Sequence, residues 1–485
     1  MKKKILWIFG ISIALHLELA IFFSSRFGPH AVVTREIWYY YGLLKGNWHL
    51  PILDPTQWIM QIISFFPETL WLLGLKVAAS LLSGLTACLI FLLGKKLINS
   101  YFGVISAVIY IFMHGPLTIS TVNFTHDLVM VPLLLILLLW GKLGIVPLSI
   151  ILCGILIGSF PVIVGGLILI LYFAVNRFKK GKQIFVFVSM LTVLLLARIA
   201  FMPQVMELAH NLSQSVRGIS ILAQLKAGAS DLLPISLKDI INRYGLWLVP
   251  TGIGFCFALK KREWMSVLIC TFALLASTVV GRSLRIVDIG IALLAAHALI
   301  SINKKKFAYI ALIILSCFSL FMCHVFLRPN TTEAEYQILK EVNEVSRPGE
   351  KILVTWHDGY MVQALTHLVP TATPERIDLV LPKVYWKSEL EAYDLLKKRE
   401  VDLVFVINRY FGIRNIHPVT GVFDYVGDGS LLYPPGEEGI VTFDQIQNTF
   451  LFRLMDDAKR LSRFDLVLEK QDRYTPAWIR IYRLK

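Results

Sequence analysis

Four short stretches of this chain carry residue types that could work together chemically. The first holds Thr34-Arg35-Glu36-Ile37-Trp38, followed by Asp54 before Pro55, and the second is Asn123-Phe124-Thr125-His126-Asp127. The third is Gly281-Arg282-Ser283-Leu284-Arg285, with Asp288 close behind, and the fourth is Trp356-His357-Asp358-Gly359-Tyr360. Carboxylates with an imidazole suit a divalent cation. Guanidinium groups suit a phosphate or pyrophosphate. An indole beside a carboxylate offers an apolar wall and a hydrogen-bond acceptor. Each stretch also has a plainer reading. Glu36 suits the solvated face of an interfacial helix, Asp54 a turn before proline, and Asp127 a helix N-cap. Arg282 and Arg285 could anchor a span at the headgroups, and Trp356 could be ordinary packing.

These residues lie far apart in sequence, so their joint use depends on the elements that carry them. The chain has 485 residues, 56% hydrophobic and only 17% charged, with a mean hydropathy of +0.65. Soluble chains are about 45–50% apolar and about 25% charged. This composition excludes a cytosolic enzyme, a disordered chain and a secreted disulfide scaffold. The net charge of +15 is unevenly placed. Residues 329–485 hold 23 of the 33 acids and 20 of the 48 bases, leaving 28 bases against 10 acids in residues 1–328. The expected organisation is therefore a basic polytopic membrane domain over 1–328 and a soluble domain over 329–485. Basic membrane loops account for the charge, and no nucleic-acid partner is expected. The six cysteines all fall in apolar runs without a CxxC pair and read as small buried residues.

Apolar runs predict roughly eleven spans: an uncleaved first one after Lys2-Lys3-Lys4, then 74–94, 103–120, 128–141, 144–159, 160–175, 184–202, 244–259, 264–280, 287–302 and 307–327. Basic clusters follow the second, fourth, sixth, eighth and tenth: Lys95-Lys96, Lys142, Arg177 to Lys182, Lys260 to Arg262, and Lys304 to Lys306. The positive-inside rule then places the N-terminus in the cytoplasm and the tail outside. Outward loops at 25–73, with an amphipathic helix in REIWYYYGLLKG, and at 203–243 are the long ones. This topology brings all four stretches to the outer face. Glu18 sits inside the first span beside His16, and His16, His297 and His324 read as hydrogen-bonded span residues rather than ligands.

The tail reads as α/β. Helices are expected over 332–346, 388–399 and near 444–462, with strands at 351–355, 401–407, 464–469 and 477–484. Trp356–Tyr360 is expected as a turn at a strand's end, where α/β domains place sites. Segment 409–440, rich in Gly, Pro and Tyr, is expected as loop.

On these motifs the chain resembles the GT-C glycosyltransferases, and within them the catalytic subunit of oligosaccharyltransferase. That family combines an extended first outer loop bearing an acid, an acidic motif in the second outer loop, many spans, and an outward soluble domain with a WWDYG motif. YYYGLLKGNWHLPILDP, GVISAVIYIFMHGPLTISTVNFTHDLVMVP and WHDGY resemble these parts in the same order. The resemblance implies that Glu36 and Asp127 are catalytic, and that Glu36, His126 and Asp127, with Asp54 as a further candidate, hold Mg²⁺ or Mn²⁺. It implies that Arg285, with Arg282 as competitor, binds donor phosphate, and that Trp356, His357, Asp358 and Tyr360 line the acceptor site. Three departures stand out. The second acidic motif is His-Asp, the motif's second Trp is His357, and no Ser-x-x-Thr-Glu stretch occurs in 203–243.

The implied activity is transfer of a sugar or oligosaccharide from a polyprenyl-(pyro)phosphate donor to an acceptor, foremost a protein, on the non-cytoplasmic face. The implied setting is a plasma or inner membrane, or the endoplasmic reticulum of a eukaryote. Alternatives are a polyprenyl-monophosphate-sugar-dependent enzyme acting on lipid, glycan or Ser/Thr, and a non-enzymatic transporter or scaffold. Against a transporter, no internal repeat is present.

Overall fold

The computed structural model describes residues 2–32, 36–47, 55–113, 130–138 except 132 and 136, 237–277, 284–302, 305–326, 329–372 except 330 and 355, 384–407 except 386, 413–416, 422–425, 440–442, 449–456, 461–475 and 478–485. They fall into two compact units. The first draws on Met1–Phe22, Pro51–Glu207 and Asp231–Arg328, and the described residues of the second come from Phe23–Leu50 and Pro329–Lys485.

The first unit is helical. Helix α1 spans Lys2–Phe27, its last residues passing into the second unit. In the first unit follow α3 (Pro55–Ser64), α4 (Glu68–Leu97) and α5 (Ser100–Phe112), while α2 (Glu36–Leu44) belongs to the second. After α6 (Leu237–Tyr244) and a 3-10 turn at Gly245–Trp247 come α7 (Leu248–Lys260), α8 (Trp264–Ser277), α9 (Leu284–Ser301) and α10 (Lys305–Phe326). Among the described residues, Lys2–Phe27, Glu68–Leu97 and Lys305–Val325 are long and apolar enough to cross a membrane. The expected spans within 144–202 lie outside the described residues.

Helix α9 is the centre of this unit, with Ile286 to Leu299 almost wholly buried against α5, α7, α8 and α10. Close helix approach in apolar surroundings needs small residues. Gly254 on α7 provides one, because a Cβ there would stand 1.7 Å from the Leu294 carbonyl oxygen on α9. The span histidines are hydrogen-bonded, as expected. His16 meets the Ser12 carbonyl at 2.6 Å and Ser83 Oγ at 3.1 Å, and His297 meets Ser266 Oγ at 3.3 Å. Glu18, two residues after His16 in the first span, accepts from His324 Nε2 at 3.1 Å, which ties that span to α10. Burial of the cysteines holds for Cys88, Cys270 and Cys323, whereas Cys256 and Cys317 are exposed on their apolar helices.

The second unit is α/β. Its helices in the tail are α11 (Glu333–Val345), α12 (Trp356–Leu365), α13 (Glu389–Lys398) and α14 (Phe450–Asp456). Strands β1 (Lys351–Leu353), β2 (Val369–Pro370), β3 (Leu403–Ile407), β7 (Phe464–Gln471) and β8 (Trp478–Leu484) form one sheet in the order β2-β1-β3-β8-β7. The first three strands are parallel, joined through α12 and α13, and β8 and β7 add antiparallel. All five residues of β3 are buried, which explains its unbroken apolar run. Capping boxes open α11 and α13: Thr332 with Glu335, and Ser388 with Glu391.

Two expectations for the tail are corrected. Trp356–Tyr360 is not a turn but the first part of α12, and β1 ends at Leu353. Asp358 in the first turn favours a helix N-terminus there. Segment 409–440 is not all loop. Within and beside it, β4 (Ile413–Ile416), β5 (Val422–Tyr425) and β6 (Ile440–Thr442) make a three-stranded antiparallel sheet, each strand too short to show a periodicity.

Candidate active site

Two of the four chemistry-bearing stretches meet within the second unit. Helix α2 begins at Glu36 and packs on α12, which begins at Trp356. The Tyr39 ring lies 5.0 Å from that of Tyr360, and Asn47 Nδ2 donates to the Gln363 carbonyl at 2.6 Å. The α2 segment and the WHDGY helix are therefore built as one body, with Glu36 and Trp356 each at the start of its helix. Asp358 is buried, at 1% exposure. Burial and the Asp358 charge together hold the Tyr385 phenol well above its usual pKa, and Tyr385 donates its hydroxyl hydrogen to the Phe405 carbonyl at 2.7 Å. Asp358 thus faces the sheet side of α12, and its first structural role is within the fold.

The segment leading to α2 is fastened to the head of α11. Val32 and Thr331 exchange two backbone hydrogen bonds, at 3.1 and 3.2 Å. Glu333 accepts from the His30 backbone N–H and from His30 Nδ1, both at 2.8 Å, and from Gln337 Nε2 at 2.8 Å. Those hydrogen bonds outweigh burial and hold the Glu333 carboxyl below its ordinary pKa. The His30 ring stacks on Tyr336 at 3.8 Å with 3° between planes, and Trp38 stacks on the same ring at 5.8 Å. Trp38, fully buried, donates Nε1–H to Thr331 Oγ1 at 3.2 Å. Gly28 permits this approach, with φ +101° and only 2.8 Å between an imagined Cβ and Glu333.

In the first unit, Arg285 is the second residue of α9. Asp288, grouped with the arginines by sequence, is completely buried and taken by other residues. Arg243 Nη2 donates to its Oδ2 at 2.7 Å and Nε to Oδ1 at 3.2 Å, while the Tyr244 hydroxyl donates to Oδ1 at 2.8 Å. Sequence reasoning missed Arg243. It is one of four bases in 203–243, with Arg217, Lys226 and Lys238, and nothing local ties it to an acid 45 residues on.

Asp54, His126, Asp127 and Arg282 lie outside the described residues. Among the described residues no three His, Cys, Asp or Glu side chains converge as a metal site.

No protein-family model matches the sequence, and no curated protein matches it. Solved structures do. The archaeal oligosaccharyltransferase AglB from Archaeoglobus fulgidus, in complex with an inhibitory peptide and a dolichol-phosphate, superposes with a TM-score of 0.59 at 13% identity, over 95% of this chain and 79% of that one. A structure of the Archaeoglobus fulgidus oligosaccharyltransferase complexed with Zn and sulfate gives 0.60 at 14% identity, over 94% and 79%. The mycobacterial arabinofuranosyltransferase AftD gives 0.52 at 12% identity, over 98% of this chain but 41% of that one. The chain thus shares, over nearly its whole length, the fold of these solved glycosyltransferases, with an oligosaccharyltransferase among its structural relatives.

Proposed function

We propose that this chain is a membrane glycosyltransferase that moves a sugar or oligosaccharide from a polyprenyl-linked phosphate or pyrophosphate to a protein acceptor on the non-cytoplasmic face. The observation that supports it most is the match of fold to an oligosaccharyltransferase over nearly the whole chain. That relative holds a peptide and a dolichol-phosphate, and another carries an acceptor peptide containing the NVT sequon. The membrane topology we adopt has a cytoplasmic N-terminus and an exported tail.

In this reading an acceptor nitrogen or hydroxyl attacks the anomeric carbon. The new bond forms as the sugar–phosphate C–O bond breaks, the polyprenyl (pyro)phosphate leaves, and a carboxylate takes the acceptor's proton. Glu36 and Asp127 are assigned to orient and deprotonate the acceptor. Arg285, with Arg282, is assigned to the negative charge of the leaving phosphate. Trp356, His357 and Tyr360 are assigned to acceptor binding, and Asp358 to fixing α12 or reaching a hydroxyl when the acceptor binds. Glu36, His126 and Asp127, with Asp54, are a hard donor set suited to Mg²⁺ or Mn²⁺. When bound, such an ion neutralises phosphate charge.

The test is transfer by purified protein in nanodiscs, given a polyprenyl-pyrophosphate glycan and a sequon peptide and read by mass spectrometry. Glu36→Gln and Asp127→Asn should each reduce kcat by about a hundredfold or more without loss of fold. Full activity in both would rule the assignment out. A second reading, transfer to a glycan, draws on the likeness to AftD and on His357 in place of the motif's second Trp. Turnover with an oligosaccharide acceptor and none with peptide would favour it.

A further inference from the structure

Glu36 lies between two attachments that end on one residue. Four positions before it, Val32 exchanges both backbone hydrogen bonds with Thr331. Two positions after it, the buried Trp38 indole donates to the hydroxyl of that same Thr331 at 3.2 Å. Thr331 has 0% exposure, so neither attachment is exchanged with water. Beside it, Glu333 grips the backbone and ring of His30, and Tyr336 takes the faces of His30 and Trp38.

We infer that Thr331, Glu333 and His30 are positioning residues that fix where α2 presents Glu36. Three features argue against a merely local packing role. The fastening is polar and directional where burial of Ile37 and Trp38 alone would have held the helix. It acts on both sides of Glu36. It also needs Gly28 in a left-handed conformation, which packing would not require. A carboxylate used in group transfer gains from this, because a displacement of about 1 Å can cost about a hundredfold in rate. The inference rests on the glycosyltransferase reading for its catalytic consequence, but the fastening itself can be measured without it.

The experiment uses full-length protein in nanodiscs. Thr331→Val removes the hydroxyl and keeps shape and backbone. Glu333→Ala removes the grip on His30. His30→Gln keeps a side-chain N–H donor for Glu333, whereas His30→Ala does not. Hydrogen exchange at the Val32, Thr331 and His30 amides reads the fastening directly. We expect Glu333→Ala to speed exchange there about tenfold or more, with the β3 and β8 amides unchanged. In transfer assays kcat should fall about tenfold or more in Thr331→Val and Glu333→Ala, with donor KM unchanged, and His30→Gln should retain far more activity than His30→Ala. Unchanged exchange in all variants would overturn the inference, as would faster exchange with unchanged kcat in a protein whose Glu36→Gln variant is inactive. If instead Glu36→Gln is fully active, the functional reading falls, and the exchange data alone decide whether the segment is fastened. A uniform loss of stability and of donor binding in Thr331→Val would also overturn it, by showing a packing role.

Discussion

The two units each bury a carboxylate against a basic partner from a distant part of their own sequence, and they do so with opposite chemistry. In the helical unit, Asp288 has no exposure and meets a guanidinium, two-pronged, with a phenol completing its shell. In the α/β unit, Glu333 meets an imidazole, and the pair keeps partial exposure, 33% for the His30 side chain and 14% for Glu333. A guanidinium never releases its proton under working conditions, so Arg243 stays charged. The helical anchor is thus closed off from water, while the fastening of α2 stays partly exposed and turns on a carboxylate whose pKa its hydrogen bonds lower against the cost of burial.

The largest effect should come from breaking the first anchor. Asp288→Ala leaves the Arg243 charge buried without its acid, and losing one partner of such a pair costs about 3–5 kcal/mol. Thermal unfolding in detergent should show it, while Arg243→Met with Asp288→Leu should recover most of the loss, since two apolar groups leave no orphaned charge. If the double variant is as unstable as the single one, the pair is more than a structural anchor, and a role in handling donor phosphate becomes the better account.

A smaller loss should separate charge from packing as the cause of α9's placement. Gly254→Ala puts a methyl group 1.7 Å from the Leu294 carbonyl oxygen, a backbone atom that cannot swing aside. Overpacking of this kind costs about 1–3 kcal/mol. A neutral result in the same unfolding assay would mean that α7 and α9 separate readily and that the Asp288 cluster alone fixes the helix.

What could be read from the sequence follows the same division. Long apolar runs with basic exits identify membrane helices because hydropathy is a local property, and α1, α4 and α10 match their expected runs. The α/β character of the tail was legible in the alternation of amphipathic and apolar segments, which gave α11 and α13, while their capping boxes emerge in the structure. WHDGY was misread as a turn because Gly359 suggests one locally, whereas the β1-to-α12 connection is set by the sheet. The partners of Asp288 and Glu333 were not legible, because 45 residues separate Asp288 from Arg243, and 303 separate His30 from Glu333. No local spacing encodes such pairs. For the expected site, only the juxtaposition of the Glu36 and Trp356 helices emerges within one unit, and that came from motif order rather than from any periodicity.

The smallest expected effect concerns the second anchor alone. The Glu333 carboxyl has a folded pKa below its ordinary 4.5, because the His30 and Gln337 hydrogen bonds outweigh the cost of burial. A depressed carboxyl pKa contributes stability that is fully present above the unfolded value and is lost as pH falls through the folded one. The fastening of α2 should therefore be constant from neutral pH down to about 5 and weaken only below about 4.5. Hydrogen exchange at Val32 and Thr331, corrected for the intrinsic pH dependence of exchange, should accelerate in that acid window in the native protein. In Glu333→Gln the acceleration should be absent, because a neutral amide has no proton to gain, and exchange should be fast at every pH. The buried amides of α9, in the other unit, serve as the control and should not accelerate in the same acid window. If α9 loosens together with or before Val32 and Thr331, the acceleration reports a general loosening rather than the Glu333 carboxyl, and the contrast between the two anchors is wrong.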